Sequence, residues 1–268
     1  MFELWKVRHT FMDDVNIITK LIIAVLLFFC VIFVHQFDLM LYLAIFMLIF
    51  LLICNGVRLY ITLIFVMFTL FFSLISALFM IFYGEGTHIL FKLGFIQIST
   101  ESLVRGLHLA LRTTTVSFFG ILIAFTSEIV MVFYSLMQHL KVKPKVAYAF
   151  MAAIRMVPLM ISTLVQLRKS LKMRYQIISQ QNYNLFSRIK HLMIPLLSQN
   201  IRKAHQLAVA MEKKGFKDGP RTYYYHTPFS YKDFLLIIVF IIILVVAYFL
   251  ALHLPITGIN DVRIKNIY

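Results

Sequence analysis

Residues 17–54 read IITKLIIAVLLFFCVIFVHQFDLMLYLAIFMLIFLLIC. Two apolar runs, 17–34 and 38–54, flank the triplet His35-Gln36-Phe37. Each approaches the length an α-helix needs to cross roughly 30 Å of hydrocarbon. A three-residue joint between them predicts a tight helical hairpin in lipid. Working outward, 59–83, 106–127 and 234–254 are further apolar segments of spanning length. The fourth is diluted by Arg105, Arg112 and several threonines. Hydrophobic residues make up 61% of the chain and its mean hydropathy is +0.88, which places it in the membrane class.

The expected fold is therefore an all-α polytopic membrane protein with about five transmembrane helices. It divides into 1–127 with helices one to four, 128–231 as a cytoplasmic insert of long amphipathic helices, and 232–268 with the last span and a tail. Residues 84–105 form a longer connection, where Gly84 and Gly86 suit a turn better than a phosphate loop. Asp13 and Asp14, and the absence of a small-residue cleavage site, argue against a cleavable signal peptide. Cys30 and Cys54 both sit in apolar runs, so neither a disulfide framework nor a zinc cluster is readable.

Charge fixes the expected orientation. The net charge is +15, and sixteen Lys and Arg lie between Lys141 and Arg221, against Glu212 and Asp218 alone. Such a block marks a cytoplasmic region and suits anionic headgroups. It also suits an acidic protein partner. Lys6, Arg8 and Lys20 put the N-terminus on the cytoplasmic side of the cell membrane; an odd number of spans puts the C-terminus outside, although Arg263 and Lys265 run against that side.

The insert is too apolar to be disordered. Lys141-Val142-Lys143-Pro144 breaks its first helix after Leu140. A second pattern runs from Lys145 to about Ser179, the polar run 180–184 follows, and a third helix extends from Leu185 to Lys214 with Gly215 as its C-cap. Leu197, Ile201, Ala204, Ala208 and Met211 share one face of the third, and Val157, Ile161, Leu164 and Leu171 one face of the second. Such faces can pack on each other or lie on a bilayer. Pro158 and Pro195 predict kinks. The helices end in Arg168, Lys169, Lys172 and Arg174, and in Lys213, Lys214 and Lys217. The helix dipole rewards one or two such cations by about 0.3–1 kcal/mol each. Two whole clusters suggest two equivalent receptors.

Several stretches resemble one family. Arg155-Met156-Val157-Pro158 is followed by Lys172-Met173-Arg174-Tyr175. Arg202-Lys203-Ala204-His205-Gln206-Leu207-Ala208 precedes Ala210-Met211-Glu212-Lys213-Lys214-Gly215-Phe216. Near the start stands Asn16-Ile17-Ile18-Thr19-Lys20-Leu21. Together with the order of spans and insert, these resemble the transmembrane coupling subunit of energy-coupling-factor transporters, the EcfT/CbiQ family, over nearly the whole chain. The two signatures depart from the family's Ala-Arg-Gly, the first keeping only Arg174 and the second only Gly215.

The resemblance implies a non-catalytic scaffold that binds no cofactor; ATP and Mg would be bound by two partner ABC-type ATPases, identical or different. It implies that Lys172, Met173 and Arg174, and Lys213, Lys214 and Gly215, dock those ATPases. It gives Arg155, Pro158, Pro195, Met211 and Glu212 roles in the kinking and packing of the coupling helices. A small membrane subunit would bind a vitamin or metal ion. Arg174 offers a carboxylate a planar fork where Lys214 offers a point charge, so docking should be asymmetric.

Other classes fit less well. An integral membrane enzyme acting on a phosphorylated lipid or headgroup needs convergent acids or a nucleophile with a base, and the insert holds only Glu212 and Asp218. A self-contained carrier favours inverted repeats. Nucleic acid favours interleaved aromatic and basic residues. The histidines show no metal-ligand spacing. Glu128 reads as interfacial, Arg112 as an intramembrane group that pairs or snorkels, and Tyr223-Tyr224-Tyr225-His226 as an interfacial aromatic belt.

Overall fold

A computed structural model describes residues 7–84, 89–93, 96–177, 185–216, 219, 222–259 and 261–262. The chain divides into two compact units. Unit 1 comprises Met1–Val132 with Thr227–Tyr268, and unit 2 comprises Phe133–His226.

Unit 1 is built on α1 (Ile17–Phe33), α2 (Phe37–Cys54), α3 (Leu59–Tyr83), α4 (Thr100–Thr126) and α8 (Tyr231–His253). Its core repeats at helical spacing: Ile23, Leu27 and Val31 on α1, then Met40, Leu43, Met47 and Leu51 on α2. Phe118, Phe119 and Leu122 of α4 and Leu236, Phe240 and Ala247 of α8 complete it. α4 packs against α1, α2 and α3, and α2 also packs on α8. α3 buries small residues, Thr62, Ser73 and Ala77, beside Val66. A methyl on Gly106 would lie 2.6 Å from Ile81 Cγ1, so only glycine lets α4 approach α3 this closely.

Two polar knots mark opposite ends of this bundle. At one end, Lys20 is 1% exposed and donates to the Thr126 carbonyl (3.1 Å) and hydroxyl (3.3 Å) at the end of α4. Beside it in sequence, the Asn16 backbone donates to Asp233 (2.7 Å) and its amide donates to the Thr227 carbonyl (2.9 Å). Lys232 pairs with Asp14 at 2.6 Å. Val7 N donates to the Gly56 carbonyl, which brings the α2–α3 turn to the same end. At the other end, Asp38 accepts from Thr257 N (2.9 Å), Thr257 Oγ1 (2.7 Å) and Gly258 N (3.0 Å). Arg105 Nε donates to the Val262 carbonyl, and Val262 N donates to that of His35. The five helices therefore alternate in direction, and residues 254–259 and 261–262 lie at the end opposite to residues 7–16.

Three expectations need adjusting. The fourth span begins earlier than residue 106, because Ser99 caps α4 by accepting from Ser102 N at 3.1 Å. Its threonines dilute hydropathy but not compatibility with lipid: the Thr113, Thr114 and Thr115 hydroxyls donate back to carbonyls one turn earlier at 2.7–3.0 Å. The 84–105 connection contains an antiparallel hairpin, β1 (Ile89–Leu93) with β2 (Ile96–Ser99). Gly84 has an ordinary φ of −75°, so close approach to the Met80 carbonyl (2.5 Å from an added Cβ) and to Ser102 (2.8 Å) rather than a left-handed turn conformation explains it. Gly86 lies outside the described residues.

The spans also need one correction. By length and composition, α2, α3, α4, α8 and Pro144–Met173 suit a crossing, whereas α1 with 17 residues is short. Yet α1 runs antiparallel to α2 through the same core, and its rise is about 26 Å. Arg112 pairs rather than snorkels: its guanidinium donates to the Val34 (3.0 Å) and Ile32 (3.3 Å) carbonyls, capping the C-terminal end of α1.

Replacing Lys20 by Met keeps the apolar stem but removes the donor that Thr126 receives. A loss of about 1–3 kcal/mol is expected, read as a lower unfolding temperature in detergent; an unchanged midpoint would contradict this role. Asp38→Ala should release residues 254–262. Hydrogen exchange there is expected to rise severalfold while α1 stays protected.

Candidate functional site

Unit 2 holds most of α5 (Ile129–His139), followed by α6 (Pro144–Ile177) and α7 (Leu185–Lys213). α5 stops where expected: Lys141 takes a positive φ of 52°, and Pro144 opens α6, where its missing N–H costs nothing. α6 and α7 run antiparallel. Lys203 Nζ on α7 donates to Thr163 Oγ1 on α6 at 3.1 Å, and Phe216 after α7 packs edge-on against Tyr148 near the start of α6, ring centroids 5.7 Å apart. Pro158 and Pro195 lie inside helices that continue through them.

This pairing places the two basic ends far apart. Lys172, Met173 and Arg174 occupy the last turns of α6, with Lys172 and Met173 exposed. The Arg174 side chain and the 180–184 linker lie outside what is described. Lys213, Lys214 and Gly215 end α7 beside the opposite end of α6. About 26 residues of helix separate Tyr148 from Arg174, roughly 39 Å at 1.5 Å per residue.

The α7 tip is a built cap. Gly215 has φ +79°, its N–H donates to the Glu212 carbonyl (2.9 Å), and Phe216 N donates to the Met211 carbonyl (3.0 Å). This is the Schellman arrangement. Nothing lies within 4 Å of a Cβ added to Gly215, so the left-handed backbone rather than crowding selects glycine. Met211 and Glu212 thus contribute through their carbonyls. Arg155 and Pro158 are exposed, while Pro195 is half-buried beside buried Leu196.

The apolar stripe of α7 is not spent on α6. Leu197 is 53% and Ile201 66% exposed, and Ala204 and Ala208 are also exposed. On α6, Val157 and Ile161 are exposed while Leu164 and Leu171 are half-buried. The unit therefore presents apolar faces flanked by Arg202 and Lys203, both exposed.

One group of residues escaped the sequence reading. Tyr134 of α5 packs edge-on against Tyr148 (6.4 Å) and against Tyr225 (5.5 Å), and Gln138 Nε2 donates to the Tyr225 carbonyl at 2.6 Å. Each such ring pair contributes about 0.5–1.5 kcal/mol beyond burial. Burial pushes the Tyr134 phenol above its ordinary range, and adjacent Tyr148 adds to the shift. Tyr225 therefore belongs to a protein cluster, whereas Tyr224 stays 87% exposed as a belt residue would. The one legible signal was Phe216, an apolar residue directly after a capping glycine. Among the described residues, no three His, Cys, Asp or Glu side chains converge as a metal site would need.

The model of the family described as "CbiQ: Cobalt transport protein" matches residues 9–225. The chain belongs to the CbiQ family. It is 28% identical over 180 residues to the energy-coupling factor transporter transmembrane protein EcfT of Lactococcus lactis subsp. cremoris, covering 63% of this chain and 67% of that one. It is 27% identical over 181 residues to the protein of the same name from Streptococcus equi subsp. equi, covering 63% and 66%. The matched stretch thus spans about two thirds of each relative. This CbiQ-family chain is a multi-pass membrane protein, the transmembrane component of an energy-coupling-factor transporter.

Gly215→Val should strain the α7 cap by about 1–2 kcal/mol, and Gly215→Asn by less. The expected readout is faster hydrogen exchange of the last α7 turn in the valine variant, with α6 unaffected; equal exchange in both variants would show that the cap does not hold the tip.

Proposed function

We propose that this chain is the scaffold that links two cytoplasmic ABC-type ATPases to a small substrate-binding membrane subunit in an importer for a vitamin or metal ion. The observation that carries the reading is the antiparallel α6–α7 pair. It sets two basic helix ends roughly 39 Å apart, as two separate receptors require. Each end would enter an acidic groove on one ATPase: Lys172, Met173 and Arg174 in one, Lys213, Lys214 and Gly215 in the other. Arg174 would give the stronger anchor, since a guanidinium binds a carboxylate through two parallel hydrogen bonds and an ammonium does not.

The exposed apolar faces around Leu197, Ile201, Val157 and Ile161 would carry the substrate subunit and lipid, with Arg155, Pro158 and Pro195 shaping the helices that present them. ATP and Mg would bind only to the partners. The N-terminus and unit 2 would face the cytoplasm of a cell membrane, and residues 254–262 the outside.

Affinity purification of the tagged chain from detergent-solubilised native membranes tests this. Wild type should recover ABC ATPases and a small hydrophobic membrane protein. The Arg174→Glu, Lys214→Glu double variant should lose at least nine tenths of the ATPase. Equal recovery by both would move the contact away from these residues, and no ATPase with wild type would overturn the reading.

A further inference from the structure

The rings of Phe216, Tyr148, Tyr134 and Tyr225 form a continuous chain, with successive centroids 5.7, 6.4 and 5.5 Å apart and all three contacts edge-on. The chain begins one residue beyond the capping Gly215. It crosses the second turn of α6 and then α5, and it ends in the segment just before α8. Gln138 holds the Tyr225 backbone from the same helix that carries Tyr134. On the same two helices, Ser135, Met137 and Ala147 are buried, and Phe133 of α5 stacks on Phe150 of α6 at 5.7 Å with 8° between planes.

What the rings join matters more than their number. α5 follows α4 in the chain after Ser127-Glu128, and five residues separate Tyr225 from α8. Those are the two places where the chain leaves unit 1 and returns to it. Both are held within unit 1 by the start of α1: Lys20 grips Thr126, and Asn16 grips Thr227 and Asp233. Along the chain, the α7 tip is joined to α5 through the 29 residues of α7, residues 178–184 and the 34 residues of α6, and to Tyr225 through residues 217–224; the rings connect the same points directly.

We propose that this four-ring clasp is the transmission element of the subunit: it positions the α7 tip on α5 and on the segment that leads into α8, so that displacement of the tip moves both connections together. The clasp acts through packing and touches neither ATP nor substrate, so its residues are positioning residues. The proposal rests on the scaffold reading above.

The test uses the full complex, purified through this chain and reconstituted in liposomes, with Tyr148→Ala, Phe216→Ala and Tyr148→Phe. ATPase recovery, ATP hydrolysis and substrate uptake are measured on each. The alanine variants should retain the ATPases through the intact α6 end and continue to hydrolyse ATP. Their uptake per ATP should fall at least tenfold. Tyr148→Phe keeps the ring and should retain at least half of the wild-type ratio, which separates loss of packing from general misfolding. Alanine variants with the wild-type ratio of uptake to hydrolysis would overturn the clasp while leaving the scaffold reading intact. A wild-type complex without ATPases would overturn the scaffold reading and the clasp with it.

Discussion

A buried ammonium organises this molecule. Lys20 is buried in an apolar bundle, where an unpaired charge is expensive, and the Thr126 carbonyl and hydroxyl both accept from it. That requirement ties the first turn of α1 to the last turn of α4. Four residues earlier, Asn16 ties the same region to Thr227 and to the start of α8. Polar groups that must be satisfied in lipid thus fix where unit 2 departs and returns. The apolar core supplies cohesion but little positional choice, because one apolar stripe slides past another more readily than a donor leaves its acceptor.

The same logic governs the opposite end. Asp38 receives two backbone N–H groups and a hydroxyl from Thr257 and Gly258, so residues that follow the last span are drawn back over the α1–α2 turn. Arg112 completes the closure by donating to the Ile32 and Val34 carbonyls at the C-terminal end of α1. Both ends of unit 1 are therefore held by specific hydrogen bonds, while the middle depends on side-chain packing. Unit 2 is built differently. Among its described residues, its helices keep apolar faces exposed.

Much of this was legible in the sequence. The apolar runs gave the helices of the bundle, because length and hydropathy report directly on a bilayer crossing. The positions of Pro144 and Gly215 gave the limits of the insert's helices, because each residue type has a backbone preference that few others share. The start of α4 was missed, since Ser99 and Ser102 cap a helix through mutual hydrogen bonds that resemble ordinary loop chemistry. The fate of the apolar stripe of α7 was also beyond sequence: periodicity identifies a face but not what covers it. The ring cluster was invisible for the same reason, as Tyr134, Tyr148 and Tyr225 are far apart in the chain and only the fold brings them together. Arg174 and Lys214 were legible as basic helix ends, and family membership gives those ends a context.

The central claim is that one chain presents two separate ends to two motors. The most direct measurement places a photo-crosslinking amino acid at position 173, at position 214, or at both, in cells producing the whole transporter. Each single variant should give an adduct of this chain with one ATPase, and the doubly labelled chain should give a species of one chain with two ATPases. Adducts from only one position, or a doubly labelled chain that never carries more than one ATPase, would contradict the account.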